Sequence, residues 1–167
     1  MYDKQMEEAL NKQIKFELYS SYLYLSMSAV LSSMNLNGAA HWMRVQAQEE
    51  ITHAMKFYDY ILDRNGVVVL EDIKAAPECS CQSVLEIFER AYKHEQHVTE
   101  RISNLVDMAV DKHDHLTNSL LQWFVNEQIE EESNVRTIVE QLRMLKNSSE
   151  ALYLFDKELG GRAAPGS

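Results

Sequence analysis

The sequence predicts an all-α protein, a four-helix bundle with one long crossover connection and a short fifth helix near the C-terminal end. Apolar residues recur in steps of three and four along four long segments. Glycine and proline, which interrupt helices, number only five and two in 167 residues. One connection, residues 67–82, has no helical period and is long enough to run the length of a helix, about 40 Å.

The first two helices are joined by a short break. Helix one is predicted over residues 3–33 and ends at a Gly/Asn-rich stretch, residues 35–38. Helix two is predicted over residues 39–64, where Asn65–Gly66 indicates a left-handed cap. A connection this short makes the two helices antiparallel neighbours.

The second pair of helices follows the crossover. Residues 83–86, Ser-Val-Leu-Glu, read as a capping box that opens helix three, which continues to about Val110. Residues 111–114 form a turn into helix four, over residues 116–146. The crossover brings helix three in parallel to helix two, so residues 1–160 are expected to form a single domain.

The fifth helix, residues 149–159, is apolar on more than one side, and the tail at residues 161–167 is expected to be disordered. Two interpretations of the helix remain open: a partner subunit covers its second face, or it docks on the end of its own bundle. Its apolar residues are Leu152, Tyr153, Leu154, Phe155 and Leu159.

The charge and the termini exclude several classes of protein. A net charge of −10 argues against nucleic acid and anionic membranes as partners and is compatible with attracting cations. No segment approaches the roughly 18 apolar residues of a membrane span. The charged N-terminal residues do not form a signal peptide, so a cytoplasmic protein is expected. Cys79 and Cys81 are expected to be free thiols, because a disulfide between them would be strained; a soft-metal or redox contact is the alternative.

Each long helix carries a carboxylate at the middle of its apolar stripe. An unpaired buried carboxylate costs several kcal/mol, and no Lys or Arg lies on these stripes to compensate it. A metal site is therefore the simplest explanation. The acids are Glu17, Glu50, Glu95, Glu127 and Glu131.

The spacing of these ligands fits a di-metal carboxylate site. Such sites in helical bundles take one Glu from each of two helices and Glu-x-x-His from each of the other two. Here Glu50 and His53 form one complete pair, whereas helix four offers Gln128-x-x-Glu131. The predicted ligands are Glu17, Glu50 and His53 for one metal and Glu50, Glu95 and Glu131 for the other. The second position has no nitrogen ligand and should bind more weakly.

Carboxylates with one imidazole suit iron(II), manganese or zinc, and only a redox metal would give oxidation chemistry. Other residues near the ligands have two interpretations each. Tyr24 is either a hydrogen-bond partner and electron donor to the site or a core residue. Trp123 either has a redox role or has none. Glu49, Glu127 and Glu130 form either a third, looser cation position or a solvated acidic face.

With these residues in place, the chain resembles the bacterial and archaeal non-haem ferritins from Met1 to about Gly160. The resemblance rests on Glu17 with Tyr24 and on residues 49–53, 92–96 and 123–131. It implies a 24-subunit hollow shell with the fifth helix around the four-fold axes. It also implies that Fe(II), oxidised by oxygen or peroxide, is stored inside as a ferric oxyhydroxide mineral.

The resemblance also assigns roles to the acids. It implies a ferroxidase centre in each subunit, with the two ligand sets given above and Gln128 nearby. It implies a third iron position formed by Glu49, Glu127, Glu130 and Glu131. Bacterioferritins instead carry a second Glu-x-x-His on helix four and a haem-ligating Met between the Glu and His of helix two. This chain has Ile51 and Thr52 there, so no haem is expected.

Two other functions are compatible with a helical bundle. A small di-iron or di-manganese peroxidase of the rubrerythrin kind would lack a use for the fifth helix, and the chain has no Cys-x-x-Cys pairs for a rubredoxin donor. A non-enzymatic interaction module of the cytokine type would not explain the acids at mid-helix.

Overall fold

The computed structural model describes residues 3–76, 80–145 and 148–164. In these ranges the chain forms five α-helices and no strand, which confirms the all-α class. The helices are α1 (Lys4–Ser33), α2 (Asn37–Asp63), α3 (Val84–Asp111), α4 (His115–Met144) and α5 (Ser149–Leu159). Two compact units result, one built from α1, α2 and α5 and the other from α3 and α4.

Side-chain caps begin four of the helices. Asp3 accepts a hydrogen bond from the Met6 N–H at 3.0 Å, and Ser83 accepts one from the Glu86 N–H at 3.2 Å. The Glu86 carboxylate accepts in turn from the Gln82 N–H at 2.9 Å, one residue before the expected position. Asp114 and Ser148 cap α4 and α5 in the same way.

Left-handed residues end three helices. Asn35, Asn65 and His113 have φ of 61°, 54° and 53° and follow the last turns of α1, α2 and α3. Asparagine tolerates this conformation better than most residues because its short polar side chain bonds locally. At the Asn65–Gly66 signal it is therefore the asparagine that takes the left-handed position.

In the first unit, α1 packs along α2 and also holds the start of the long connection. The Asn11 amide donates to the Val67 carbonyl at 2.9 Å and accepts from the Val69 N–H at 2.7 Å. Lys15 and Glu71 form an ion pair at 2.8 Å. These contacts lay the first residues of the connection against α1. The core between the helices includes Leu10, Ile14, Leu31, Met43 and Phe57.

Helix α5 docks on the N-terminus of α2. The Asp156 carboxylate accepts from the Gly38 N–H at 3.0 Å and the Ala39 N–H at 2.8 Å. The residue before α2, Leu36, has no side-chain cap of its own, so α5 supplies the missing acceptor. Phe155, on the side of α5 that docks, is buried, whereas Tyr153 and Leu154 are 59% and 66% exposed.

The residues after α5 continue along α2. The Arg162 guanidinium lies 4.2 Å from the centre of the Trp42 ring and pairs with the Glu49 carboxylate. The Arg162 carbonyl contacts His41 Nε2 at 2.9 Å. Arg162 belongs to the predicted disordered tail, yet both its backbone and its side chain are held on α2. Residues 165–167 lie outside the described ranges.

The second unit is the α3–α4 pair. Its core includes Ile87, Phe88, Leu121 and Phe124, and Arg143 pairs with Glu89 at 2.6 Å. Cys81, just before α3, is disulfide-bonded, so the expectation of a free thiol is wrong for this residue. Cys79 lies outside the described residues. No helix in the described part of the chain is long and apolar enough to cross a membrane.

Candidate metal centre

The first unit brings together three of the predicted ligands. Glu17 comes from α1, and Glu50 and His53 come from α2. One ligand atom from each lies within 4.8 Å of the other two, and all three residues are buried. Glu50 and His53 are three residues apart, so they face the same way along the helix, with His53 Nδ1 3.5 Å from Glu50 Oε2.

Two glutamines hold the carboxylates from behind. Gln13 Nε2 donates to Glu17 Oε1 at 2.8 Å, and Gln46 Nε2 donates to Glu50 Oε1 at 3.3 Å. Both glutamines are buried, and neither was among the residues predicted for the site. A signal was present, because each precedes its acid by four residues, one turn along the same face. Hydrogen bonds of this kind fix the orientation of a metal ligand.

The environment of Glu17 favours a bound cation. Burial raises the pKa of Glu17 well above its usual value, and the nearby Glu50 raises it further, whereas His53 and Gln13 lower it. Its second oxygen, Oε2, is buried and accepts no hydrogen bond from the described residues. A buried carboxylate oxygen without a donor is costly, and a metal ion would satisfy it.

The second unit buries three more of the predicted residues. Glu95 on α3 is fully buried, and Gln128 and Glu131 on α4 are 3% and 4% exposed. Gln128 Nε2 donates to Glu95 Oε2 at 3.2 Å. His94 adds no positive charge here, because burial lowers its pKa to about 4 with a further contribution from His97. This imidazole is therefore neutral at pH 7.

The remaining predicted residues lie in different environments. Tyr24 is fully buried on α1, and Trp123 is 37% exposed with its ring edge-on to Phe124 at 4.9 Å. Glu49 is paired with Arg162, so a cation there would compete with a guanidinium. Glu127 is half-buried and Glu130 is exposed. Their roles remain predictions.

The donor set limits what the first-unit cluster can bind. Two carboxylates and one imidazole, all buried, suit iron(II), manganese or zinc and offer no thiolate for soft metals. Such a set fits a protein that handles a divalent metal within a helical scaffold. The class defined by fold and site is therefore an all-α metal-binding protein of the carboxylate type.

Comparisons with known proteins agree with this class. Residues 7–145 match the ferritin-like domain. The bacterial non-heme ferritin of Escherichia coli O6:H1 is 40% identical over 159 residues, 95% of this chain and 96% of that protein. The bacterial non-heme ferritin of Bacteroides fragilis strain 638R is 37% identical over 162 residues, covering 97% of this chain and 100% of that protein.

Solved structures give the same answer. An open pore ferritin from the archaeon Archaeoglobus fulgidus matches with a TM-score of 0.96 and 46% identity, covering 98% of this chain and 100% of that chain. The chain belongs to the ferritin family, and the predicted ferritin-like fold and the resemblance to non-haem ferritins are confirmed. Membership of this family supports iron binding and iron storage.

Proposed function

We propose that this protein oxidises Fe(II) with oxygen or hydrogen peroxide at a di-iron ferroxidase centre and stores the Fe(III) as a ferric oxyhydroxide mineral. The observation that carries the proposal is the buried cluster of Glu17, Glu50 and His53, in which Glu17 Oε2 accepts no hydrogen bond from the described residues. The first Fe(II) binds there. No haem takes part.

The second iron position is proposed from family membership and ligand chemistry. Glu50 bridges the two ions, and Glu95 and Glu131 complete the second set, with Gln128 nearby. Each of these side chains is buried, as a ligand of an internal ion should be. Glu49, Glu127, Glu130 and Glu131 form a third, weaker position.

The two ions together supply the electrons for oxygen. Two Fe(II) become two Fe(III), and one O₂ takes up the two electrons and two protons as hydrogen peroxide. Peroxide as oxidant takes two electrons and two protons to give two waters. The bridging carboxylate offsets the charge that grows as the ions are oxidised. Tyr24, two turns beyond Glu17 on α1, is proposed to donate a hydrogen bond to the centre or, in place of one Fe(II), one of the two electrons.

Storage requires an enclosed volume, which we propose is a shell of 24 copies of this chain. The exposed apolar side of α5, Tyr153 and Leu154, supports a contact with another copy. Residues 1–160 act as a single domain in this assembly, and the assembly is proposed to be cytoplasmic.

Substitution of the central ligands tests the oxidation step. Glu50→Ala and His53→Ala should each lower the initial rate of Fe(II) oxidation by roughly 100-fold. Loss of a residue that only orients a ligand costs about 10–100-fold, and loss of the ligand itself should cost at least as much. The rate is followed by absorbance of Fe(III) and by oxygen uptake. Asp59→Ala, an exposed acid on the same helix, is the matched control. Unchanged rates in both ligand variants, with the assembly intact, would refute the proposal.

A further inference from the structure

We propose that Thr99 and Glu132 are positioning residues for the second iron, acting through Gln128 on Glu95. The inference rests on the proposed function, because it concerns the second position of the di-iron centre. Neither Thr99 nor Glu132 belongs to any ligand set described above.

The geometry is a directed chain of hydrogen bonds. Gln128 Nε2 lies 3.2 Å from Glu95 Oε2 and 3.4 Å from both Thr99 Oγ1 and the Glu95 carbonyl oxygen. The Thr99 hydroxyl donates to Glu132 Oε1 at 2.5 Å. An ionised carboxylate only accepts hydrogen bonds, so the single hydroxyl proton points to Glu132. The hydroxyl oxygen is left to accept from Gln128, which turns the amide nitrogen towards Glu95.

Helical spacing explains why these four residues meet. Thr99 follows Glu95 by four residues on α3, and Glu132 follows Gln128 by four residues on α4. Each pair lies on one face of its helix, one turn apart. Two pairs of residues therefore face each other across the helices. Glu95 and Gln128 form the inner, buried pair, and Thr99 and Glu132 form the outer, half-buried pair.

A groove exposes the outer pair, Thr99 and Glu132, to solvent. It has a volume of about 350 Å³, and its lining includes Thr99, Ser103, Gln128, Glu132 and Arg136. Water in such a groove competes for a neutral hydrogen bond. The bond from Thr99 to Glu132 is charge-assisted and roughly twice as strong as a neutral one, so it can persist there.

The consequence for the metal follows from what an amide nitrogen can do. The NH₂ group of Gln128 cannot ligate a cation, and by donating to Glu95 Oε2 it fixes the orientation in which the Glu95 carboxylate would meet the metal. Loss of such a supporting hydrogen bond typically weakens metal binding about 10–100-fold. The first position should be unaffected, because Glu17 and Glu50 are held by Gln13 and Gln46 instead.

The experiment is a titration of the assembled, metal-free protein with Co(II), followed by visible absorption and calorimetry. Thr99→Val keeps the shape and removes the hydroxyl. It should raise the Kd of the second Co(II) about tenfold and leave the first unchanged. Thr99→Ser should restore binding. Ser103→Ala is the matched control, since it removes a hydroxyl in the same groove that, among the described residues, donates to the Thr99 carbonyl at 2.9 Å and not to Gln128 or Glu132.

A double-mutant cycle separates positioning from general loosening of the fold. Glu132→Ala should weaken the second Co(II) in the same way, and the double variant should be no weaker than Thr99→Val alone, because both act through one chain of bonds. Additive losses, or Thr99→Ser as weak as Thr99→Val, would overturn the inference. Unchanged second-site affinity in Thr99→Val would also overturn it while leaving the di-iron proposal standing. Failure of the unsubstituted protein to bind two Co(II) would instead refute the di-iron proposal.

Discussion

Glu17 is held in an environment that opposes its charge. Burial and the neighbouring Glu50 raise its pKa, and only Gln13 and His53 act in the other direction. A carboxyl group whose pKa is higher in the folded than in the unfolded chain binds more protons when folded. The free energy of unfolding of the metal-free protein therefore falls as pH rises from the unfolded pKa through the folded pKa.

Glu17→Gln should separate stability from metal binding. The amide removes the charge and keeps the shape, so the metal-free protein should gain about 1–3 kcal/mol of unfolding free energy near neutral pH. The gain should shrink at low pH, where Glu17 itself is protonated. The first metal should bind far more weakly.

Denaturant unfolding with chelator at two pH values measures this difference. Glu8→Gln, at an exposed position on α1, is the control and should leave unfolding unchanged. A Glu17→Gln protein that is less stable than the original at neutral pH would contradict the electrostatic account.

At the scale of elements, the joint between α2 and α5 depends on one carboxylate and one glycine. Asp156 accepts from two N–H groups in the first turn of α2. A Cβ on Gly38 would lie 1.6 Å from the Asp156 carbonyl oxygen, far inside contact distance. The two backbones are therefore as close as glycine allows.

Asp156→Ala should loosen this joint. Two N–H groups lose their acceptor, which should cost about 1–2 kcal/mol, as for loss of a helix cap. Hydrogen exchange at Gly38 and Ala39 should become faster, while exchange in the middle of α2 stays slow. Glu158→Ala, an exposed acid on the same helix, is the matched control.

Gly38→Ala is the steric counterpart of that variant, since it should displace α5 while the Asp156 carboxylate is kept.

The outcome that would contradict the Asp156 prediction is slow hydrogen exchange at Gly38 and Ala39 in Asp156→Ala. It would show that apolar docking through Phe155 and Leu159 holds α5 without the cap.

Local patterns predicted the helices, whereas contacts between residues distant in sequence could not be predicted from them. Apolar periodicity and the caps at Asp3 and Ser83 are encoded within a few residues, so the helix bounds could be predicted closely. Asp156 and Gly38 are 118 positions apart, and no local pattern connects them. The same holds for the contact of Arg162 with Trp42, because the two residues are far apart in sequence and the composition of the tail does not indicate it.

The predicted metal ligands show the same difference between local and distant signals. The three-residue spacing of Glu50 and His53 is enough to place them on one helical face, because helix geometry alone fixes it. The approach of Glu17 from α1 could be inferred only from its place on a core stripe. The supporting glutamines, Gln13 and Gln46, were overlooked because a buried amide carries no charge that demands compensation.

At the scale of the whole molecule, storage should be visible in the number of iron ions that the assembly holds per chain. The proposed ligands hold two or three ions per chain. After repeated aerobic additions of Fe(II), the soluble assembly should retain far more iron per chain than this, because the mineral fills an enclosed volume. Iron analysis after size-exclusion chromatography measures both quantities.

The Glu50→Ala assembly serves as the control for slow, uncatalysed mineral growth. Retention that stops at about two ions per chain, in a dimer or another small oligomer, would favour a di-iron peroxidase instead.

The two glutamine amides also set how a cation can be held in the first-unit cluster. Gln13 engages one oxygen of Glu17, and Gln46 engages one oxygen of Glu50. Each of these oxygens keeps a second lone pair, whereas the other oxygen of each carboxylate faces no glutamine, so a cation would bind more readily through that other oxygen. Together with His53, the two acids would offer three ligand side chains to an ion. Iron prefers more ligands than three, so the remaining positions fall to water, oxidant or a second ion. Three protein ligands leave room for exchange with water, so a centre of this kind would be suited to passing its iron on.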